Sequence, residues 1–156
     1  MKNILKMTPI LLLLAALTCS CQNEINPDCE GDNAQQVELF YVDEFESTPC
    51  GLQNIEGNEK ETNLVITTQA DFEKFFTCSE QLHIDFDKYF ILAGMYRHHQ
   101  CAVFDSQQVV LCNNRIVYKV GLLEQICAAL TNVSYFVVID KQYENLPVVF
   151  DVKFSN

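Results

Sequence analysis

The chain has 156 residues, 49% of them hydrophobic, and a formal net charge of −11 from 21 Asp and Glu against 10 Lys and Arg. Two arginines and no basic stripe leave phosphates without counter-charges, which excludes nucleic acid as a partner. Five glycines form no phosphate loop, dinucleotide fingerprint or nucleophile elbow, and there is no tryptophan to build a glycan-stacking face.

The N-terminus reads as a leader. Lys2 and Lys6 precede a short apolar core, Ile10 to Leu17, and Thr18-Cys19-Ser20-Cys21 follows. The core is too short for a membrane span, which needs about 20 apolar residues, so residues 1–20 are expected to be a cleaved signal peptide. A cysteine directly after such a core looks like the lipobox of bacterial lipoproteins, in which that cysteine carries diacylglyceryl and palmitate-type acyl chains. Cys21, which follows a small serine, is the expected lipidation site, with Cys19 as the alternative. Cleavage before Cys21 leaves 136 residues and an even set of six further cysteines. The membrane is then a partner through the lipid, and the location is extracytoplasmic, at the outer membrane.

Residues 21–35 are polar, with Asn26-Pro27-Asp28 and Glu30-Gly31-Asp32-Asn33 as turn signals, and are expected to be a flexible tether. Cys21-Gln22-Asn23-Glu24 resembles the short signal that sends Bacteroidetes lipoproteins to the cell surface, which implies surface exposure. The stretch from Cys21 to Glu61 holds eleven acidic residues against one lysine. Its part from Asp43 to Glu61 is a candidate contact for a basic partner.

Residues 36–156 are expected to form one β-rich domain. Val37 to Phe45, rich in β-branched and aromatic residues, predicts the first strand. Asn63 to Thr67 predicts a buried strand. Thr68 with Asp71 three residues later looks like a helix N-cap pair, and Phe72, Phe75 and Phe76 recur at helical spacing, so one short helix is expected over Gln69 to Thr77. Strands are predicted over Tyr89–His98, Cys101–Cys112, Arg115–Leu123, Val133–Lys141 and Val148–Phe154, with Asn113-Asn114 as a tight hairpin turn. Short connections imply antiparallel pairing. The fold class is α+β, mostly β: an antiparallel sheet forming a small sandwich or open barrel, with one short helix.

Cys29, Cys50, Cys78, Cys101, Cys112 and Cys127 are disulfide candidates in an oxidising compartment. Cys29 and Cys50 flank the first predicted strand and are placed to staple tether to body. Cys101 and Cys112 would meet only if Ser106-Gln107 were a turn; one long strand is the preferred reading and leaves their pairing open. The sharper alternative is a thiol- or metal-dependent enzyme using His98, His99 and Cys101. A zinc site needs about four converging ligands and adjacent strand residues diverge, so no metal and no cofactor is expected there or at His83. Asp85 and Asp87 share one side of an extended segment; turn stabilisation is expected rather than calcium or acid–base work. Asn132-Val133-Ser134 fits a glycosylation triplet but carries little meaning in a bacterial lipoprotein.

The order Asn63 to Thr68, Asp71-Phe72-Glu73-Lys74-Phe75-Phe76, Ile84-Asp85-Phe86-Asp87-Lys88 running into Tyr89 to Gly94, and a final Val-rich strand resembles small Bacteroidetes lipoproteins of unknown function. More distantly it resembles the C-terminal domain of the protease-complex protein PrcB. The likeness covers roughly residues 62 to 154, and its motifs are structural. It implies an envelope module that binds or stabilises another envelope or surface protein, with no catalytic residue. Ligand or glycan capture within the β-domain is a third expectation.

Overall fold

The computed structural model describes Cys29 and residues 34–55, 59–127 and 129–155. The expected signal peptide, Cys19, Cys21 and most of the expected tether lie outside the described residues. In chain order the elements are β1 (Gln35–Gln36), α1 (Val42–Ser47), β2 (Cys50–Leu52), β3 (Glu61–Ile66), α2 (Gln69–Phe75), β4 (Phe76–Cys78), β5 (Tyr89–His98), β6 (Cys101–Cys112), β7 (Arg115–Gln125), β8 (Thr131–Asp140), a 3₁₀ turn (Lys141–Tyr143) and β9 (Val148–Ser155).

Two sheets face each other as a sandwich. One has the order β1-β6-β7-β9, the other β3-β5-β8, and β2 with β4 makes a separate two-stranded ribbon. Alternation along each strand sends one row of side chains inward. Phe90, Leu92 and Tyr96 of β5 and Val133, Tyr135, Val137 and Ile139 of β8 thereby meet Ile116, Tyr118, Val120 and Leu122 of β7 in one buried cluster. The opposite face of β5 and β8 is apolar too, through Ile91, Ala93 and Val138. Covered on both sides, β5 reads as an unbroken apolar run rather than an alternating one.

The second cover is the third layer. Phe72 of α2 stacks on Phe76 at 4.7 Å, and both belong to the cluster that buries Ile84, Ile91 and Val138. Thr68 caps α2 as its sequence predicts, its Oγ1 accepting from the Asp71 N–H at 3.1 Å. The helix ends at Phe75, two residues short of the expected Thr77, because Phe76 to Cys78 pairs with β2.

Two other expectations need correction. The first predicted strand, Val37 to Phe45, is only partly extended. The chain runs along β6 at β1, the Val37 N–H donates to the Val109 carbonyl at 2.9 Å, and the Phe40 N–H then donates to the Val138 carbonyl of the facing sheet at 2.9 Å. This crossing straps the open edges of β6 and β8 together. Tyr41, at φ 59°, then turns the chain into α1, where Asp43 and Glu44 sit in the first turn and favour the positive end of the helix dipole. Phe45 fastens α1 by packing 4.7 Å from the Phe136 ring.

The second correction concerns the last strand. β9 runs parallel to β7, not antiparallel, while the other ladders are antiparallel as expected. After β7 the chain returns as β8 in the other sheet, so a second reversal brings β9 back in the direction of β7. The Asn113-Asn114 hairpin is as expected, with both residues at positive φ (50° and 60°) between the paired Cys112 and Arg115.

Two phenols are sealed in the core. Tyr118 donates to Gln107 Oε1 at 2.6 Å and Tyr135 to Asn63 Oδ1 at 3.0 Å. Burial raises both pKa values, and the negative charge of Glu61 adds to the rise at Tyr135. A phenol whose folded pKa is raised stabilises the fold fully below its unfolded pKa of about 10, and that contribution is lost as pH rises above it. An absorbance titration should show these two phenols ionising only as the chain unfolds in base. Their ionisation at the ordinary phenol pH in a chain that keeps its fold would contradict the burial.

Candidate functional site

Four strands meet at one end of the sandwich: His98 closes β5, Cys101 opens β6, Gln125 closes β7 and Thr131 opens β8. The connections between them pass from one sheet to the other, and they are fixed in place. A Cys101–Cys127 disulfide ties the start of β6 to the loop after β7, with Cα atoms 5.4 Å apart. Thr131 Oγ1 accepts from the Ala102 N–H at 3.0 Å and donates to the Gln100 carbonyl at 2.8 Å, joining both crossings.

His98 lies beneath this end, only 5% exposed. Its Nε2 is 2.6 Å from Glu124 Oε1, and its ring stands 4.7 Å from Phe154 and 4.5 Å from His99. The pair spans the two sheets, since His98 belongs to β5 and Glu124 to β7.

Several large apolar side chains are exposed on the elements of this end. Ile126 is fully exposed and Leu130 is 65% exposed, both on the connection that carries Cys127. Val103 and Leu123 are directly paired across β6 and β7 and are exposed to 39% each. These are four of the seven large hydrophobic residues exposed among the described residues. Gln100, Glu124 and Gln125 flank Ile126 around a shallow depression of about 470 Å³. Scattered exposed hydrophobics are ordinary; here two lie on a cross-linked connection and two on the paired strands β6 and β7, beside polar residues, which is the composition of a contact site.

The sequence-predicted site residues are thus brought to one end, in different roles. Cys101 is bonded to Cys127 and presents no thiol. His98 turns inward to Glu124 while His99 is exposed, and no group of three or more His, Cys, Asp and Glu converges as a metal site among the described residues. The other bonds are Cys29–Cys112 and Cys50–Cys78, which corrects the expected Cys29–Cys50 staple. Cys50 lies directly opposite Cys78 in the β2–β4 ribbon, and Cys29 is buried against Val110 and Val117 on the outer face of the larger sheet. Cys29 therefore belongs to the folded body although it falls within the expected tether.

Asp85 does the turn work expected of it. It accepts from the Asp87 N–H at 3.2 Å and pairs with Lys88 at 2.8 Å, and that lysine holds its carboxyl below the usual range. The acidic residues Asp43, Glu44 and Glu46 stand exposed on α1. Beneath α1 is an apolar crevice of about 200 Å³ lined by Leu39, Phe45, Phe104 and Phe136, smaller than the roughly 300–1,000 Å³ of ordinary ligand pockets. A larger open depression of about 550 Å³ crosses the outer face of the β6–β7–β9 sheet. Its lysines are already engaged, Lys153 with Asp151 at 3.0 Å and Lys119 with the Cys29 carbonyl at 3.2 Å.

Ile126, Leu130, Val103 and Leu123 were not singled out by the sequence. A signal was present: two large apolar residues flank Cys127 in a stretch between strands, where polar turn residues are the norm. Compared with known proteins, the chain matches no family model, no curated protein and no solved structure.

Proposed function

We propose that the chain is a lipid-anchored extracytoplasmic protein-interaction module of the bacterial envelope, without catalytic activity, which holds a partner protein through the stapled apolar end. The observation that carries this reading is the exposure of Ile126, Leu130, Val103 and Leu123 around the Cys101–Cys127 bond. The disulfide spares the surface much of the ordering cost that a mobile loop meets on binding. Three disulfides are the mark of an oxidising compartment outside the cytoplasm. Lipidation at Cys21 fits the same location, and the resemblance of residues 62 to 154 to envelope lipoproteins points to the same class of protein. Asp43, Glu44 and Glu46 on α1 add a negative field that steers a partner with a basic face.

The test is a photoreactive group placed at Leu123 or Val103 of the lipidated chain in native envelopes. A discrete cross-linked partner is expected, with its yield cut at least about 30-fold when Ile126→Asp and Leu130→Asp are combined. Stability should move by no more than about 0.5 kcal/mol, since both side chains are already in water. A cross-link of undiminished yield in the double variant, or none from either position, would sink this reading.

A further inference from the structure

β9 is an edge strand. It is hydrogen-bonded to β7 on one side and to no strand on the other among the described residues. An eight-residue edge with apolar side chains is a template for pairing with another chain, and natural edges are usually blunted by charge, proline or a bulge. Here Val148, Phe150, Val152 and Phe154 are only partly buried, and the lone exposed charge is Lys153.

The direction of the free hydrogen-bonding groups follows from the ladder. The Ile116 N–H donates to the Pro147 carbonyl at 2.9 Å, and Ile116 is paired with Val148 in the parallel register. In a parallel ladder, alternate residues turn both backbone groups to the same neighbour. Pro147, Val149, Asp151 and Lys153 therefore face β7, and Val148, Phe150, Val152 and Phe154 turn their N–H and C=O groups to the open edge.

We infer that β9 pairs antiparallel with β9 of a second copy of this chain, about a two-fold axis through Val152, joining two four-stranded sheets into one of eight strands. The register is chosen by charge. With the axis at Val152, each Asp151 faces the second copy's Lys153 and each Phe150 faces Phe154, on opposite faces of the joined sheet. An axis at Asp151 or at Lys153 sets like charges directly opposite, and an axis at Phe150 sets Asp151 opposite Val149 and Lys153 opposite Pro147, so that neither meets a charge of the second copy. The Val152 register also satisfies the backbone, because Val152 exchanges two hydrogen bonds with its own copy and Phe150 does so with Phe154. Asp151 and Lys153 then fall at the closely spaced pair between them, where side chains interact most strongly. Asp151 and Lys153 already touch within one chain at 3.0 Å, so the swap to the second copy exchanges like for like. The interface is isologous, so every pair occurs twice.

The full chain, carried to its membrane and extracted in detergent, should sediment as a dimer that dissociates on dilution. Lys153→Glu places two carboxylates opposite each other twice and should raise the dimer dissociation constant about 100-fold. Val152→Pro removes the outward N–H at the axis while leaving the β7 ladder whole, and should abolish the dimer with the monomer fold retained by circular dichroism. Lys153→Glu and Asp151→Lys copies, each monomeric alone, should pair when mixed, because every facing charge is then opposite. A wild-type chain that stays monomeric at high micromolar concentration overturns the inference. A dimer that survives both Lys153→Glu and Val152→Pro also overturns it, since it must assemble through another surface.

Discussion

Replacing Cys29 and Cys112 together by alanine should lower the unfolding free energy by about 4.5 kcal/mol, the largest loss among the three disulfides. The bond joins residues 83 apart in sequence, whereas Cys50–Cys78 and Cys101–Cys127 span 28 and 26. In the chain-entropy account a cross-link stabilises by restricting the unfolded chain, and the effect grows with the logarithm of the loop, giving about 4.5 kcal/mol for the long loop and about 3.5 for each short one. Packing adds to the difference: Cys29 and Cys112 are each 4% exposed, and they fill a small cluster with Val110 and Val117. The Cys29 carbonyl also accepts from Lys119. Domains of this size hold only about 5–15 kcal/mol in all, so the double variant should approach marginal stability. Urea unfolding of the three double-alanine variants checks the order. A loss under about 1.5 kcal/mol for Cys29/Cys112, or one smaller than for Cys101/Cys127, would refute the account. On the lipid-anchored reading this bond also matters mechanically, because Cys29 lies between Cys21 and the first strand and delivers any pull on the anchor to the end of β6.

The strands from Tyr89 onward were legible because each signal was local. Alternating apolar residues in Val148–Phe154 state a strand, and the unbroken run in Tyr89–Ala93 states both strand and burial; that Asp151 is the buried residue of β9 is not in the alternation. The Thr68–Asp71 pair and the Asn113-Asn114 turn state their own geometry within four residues. What the sequence did not reveal depends on distant partners. Val37 to Phe45 has strand composition throughout, yet its hydrogen bonds go to β6 and then to β8, and no local pattern encodes a crossing between sheets. The direction of β9 depends on which sheet β8 joins, which the alternation of Val148–Phe154 cannot state. The disulfide partners are likewise decided by sheet register, as Cys50 opposite Cys78 shows. His98, His99 and Cys101 drew attention as reactive residue types, and the structure gathers them at one end, with Cys101 bonded to Cys127 and His98 paired with Glu124. Ile126 and Leu130 carry only a weak local signal, large apolar residues between two strands, and their exposure is set by the fold around them.

Gly94→Ala should cost about 3 kcal/mol, a large effect for one methyl group. Gly94 sits mid-strand in β5, paired with Asn63 of β3 on one side and with Tyr135 of β8 on the other. The Tyr135 ring lies flat across the glycine to reach Asn63, so a Cβ at this position would overlap the ring and stand 2.6 Å from its hydroxyl. The glycine is required for this close approach. Tyr135 is 2% exposed and packs edge-on against Tyr118 at 5.9 Å, which leaves the ring nowhere to shift within the core. The added methyl therefore expels the ring or strains the three strands that hold it, and loss of a buried aromatic contact costs roughly 3–5 kcal/mol. A double-mutant cycle separates this cause from a general weakness of alanine in strands. Tyr135→Ala alone should cost about 4 kcal/mol, but in the Gly94→Ala background it should cost at least about 2 kcal/mol less, because the ring it removes has already lost its place. If the two costs add without coupling, the ring does not depend on the glycine and the account fails. Coupling of the expected size would mean that the row Asn63–Gly94–Tyr135 locks the register of all three strands of this sheet, β5 included, and β5 ends in His98 at the stapled end.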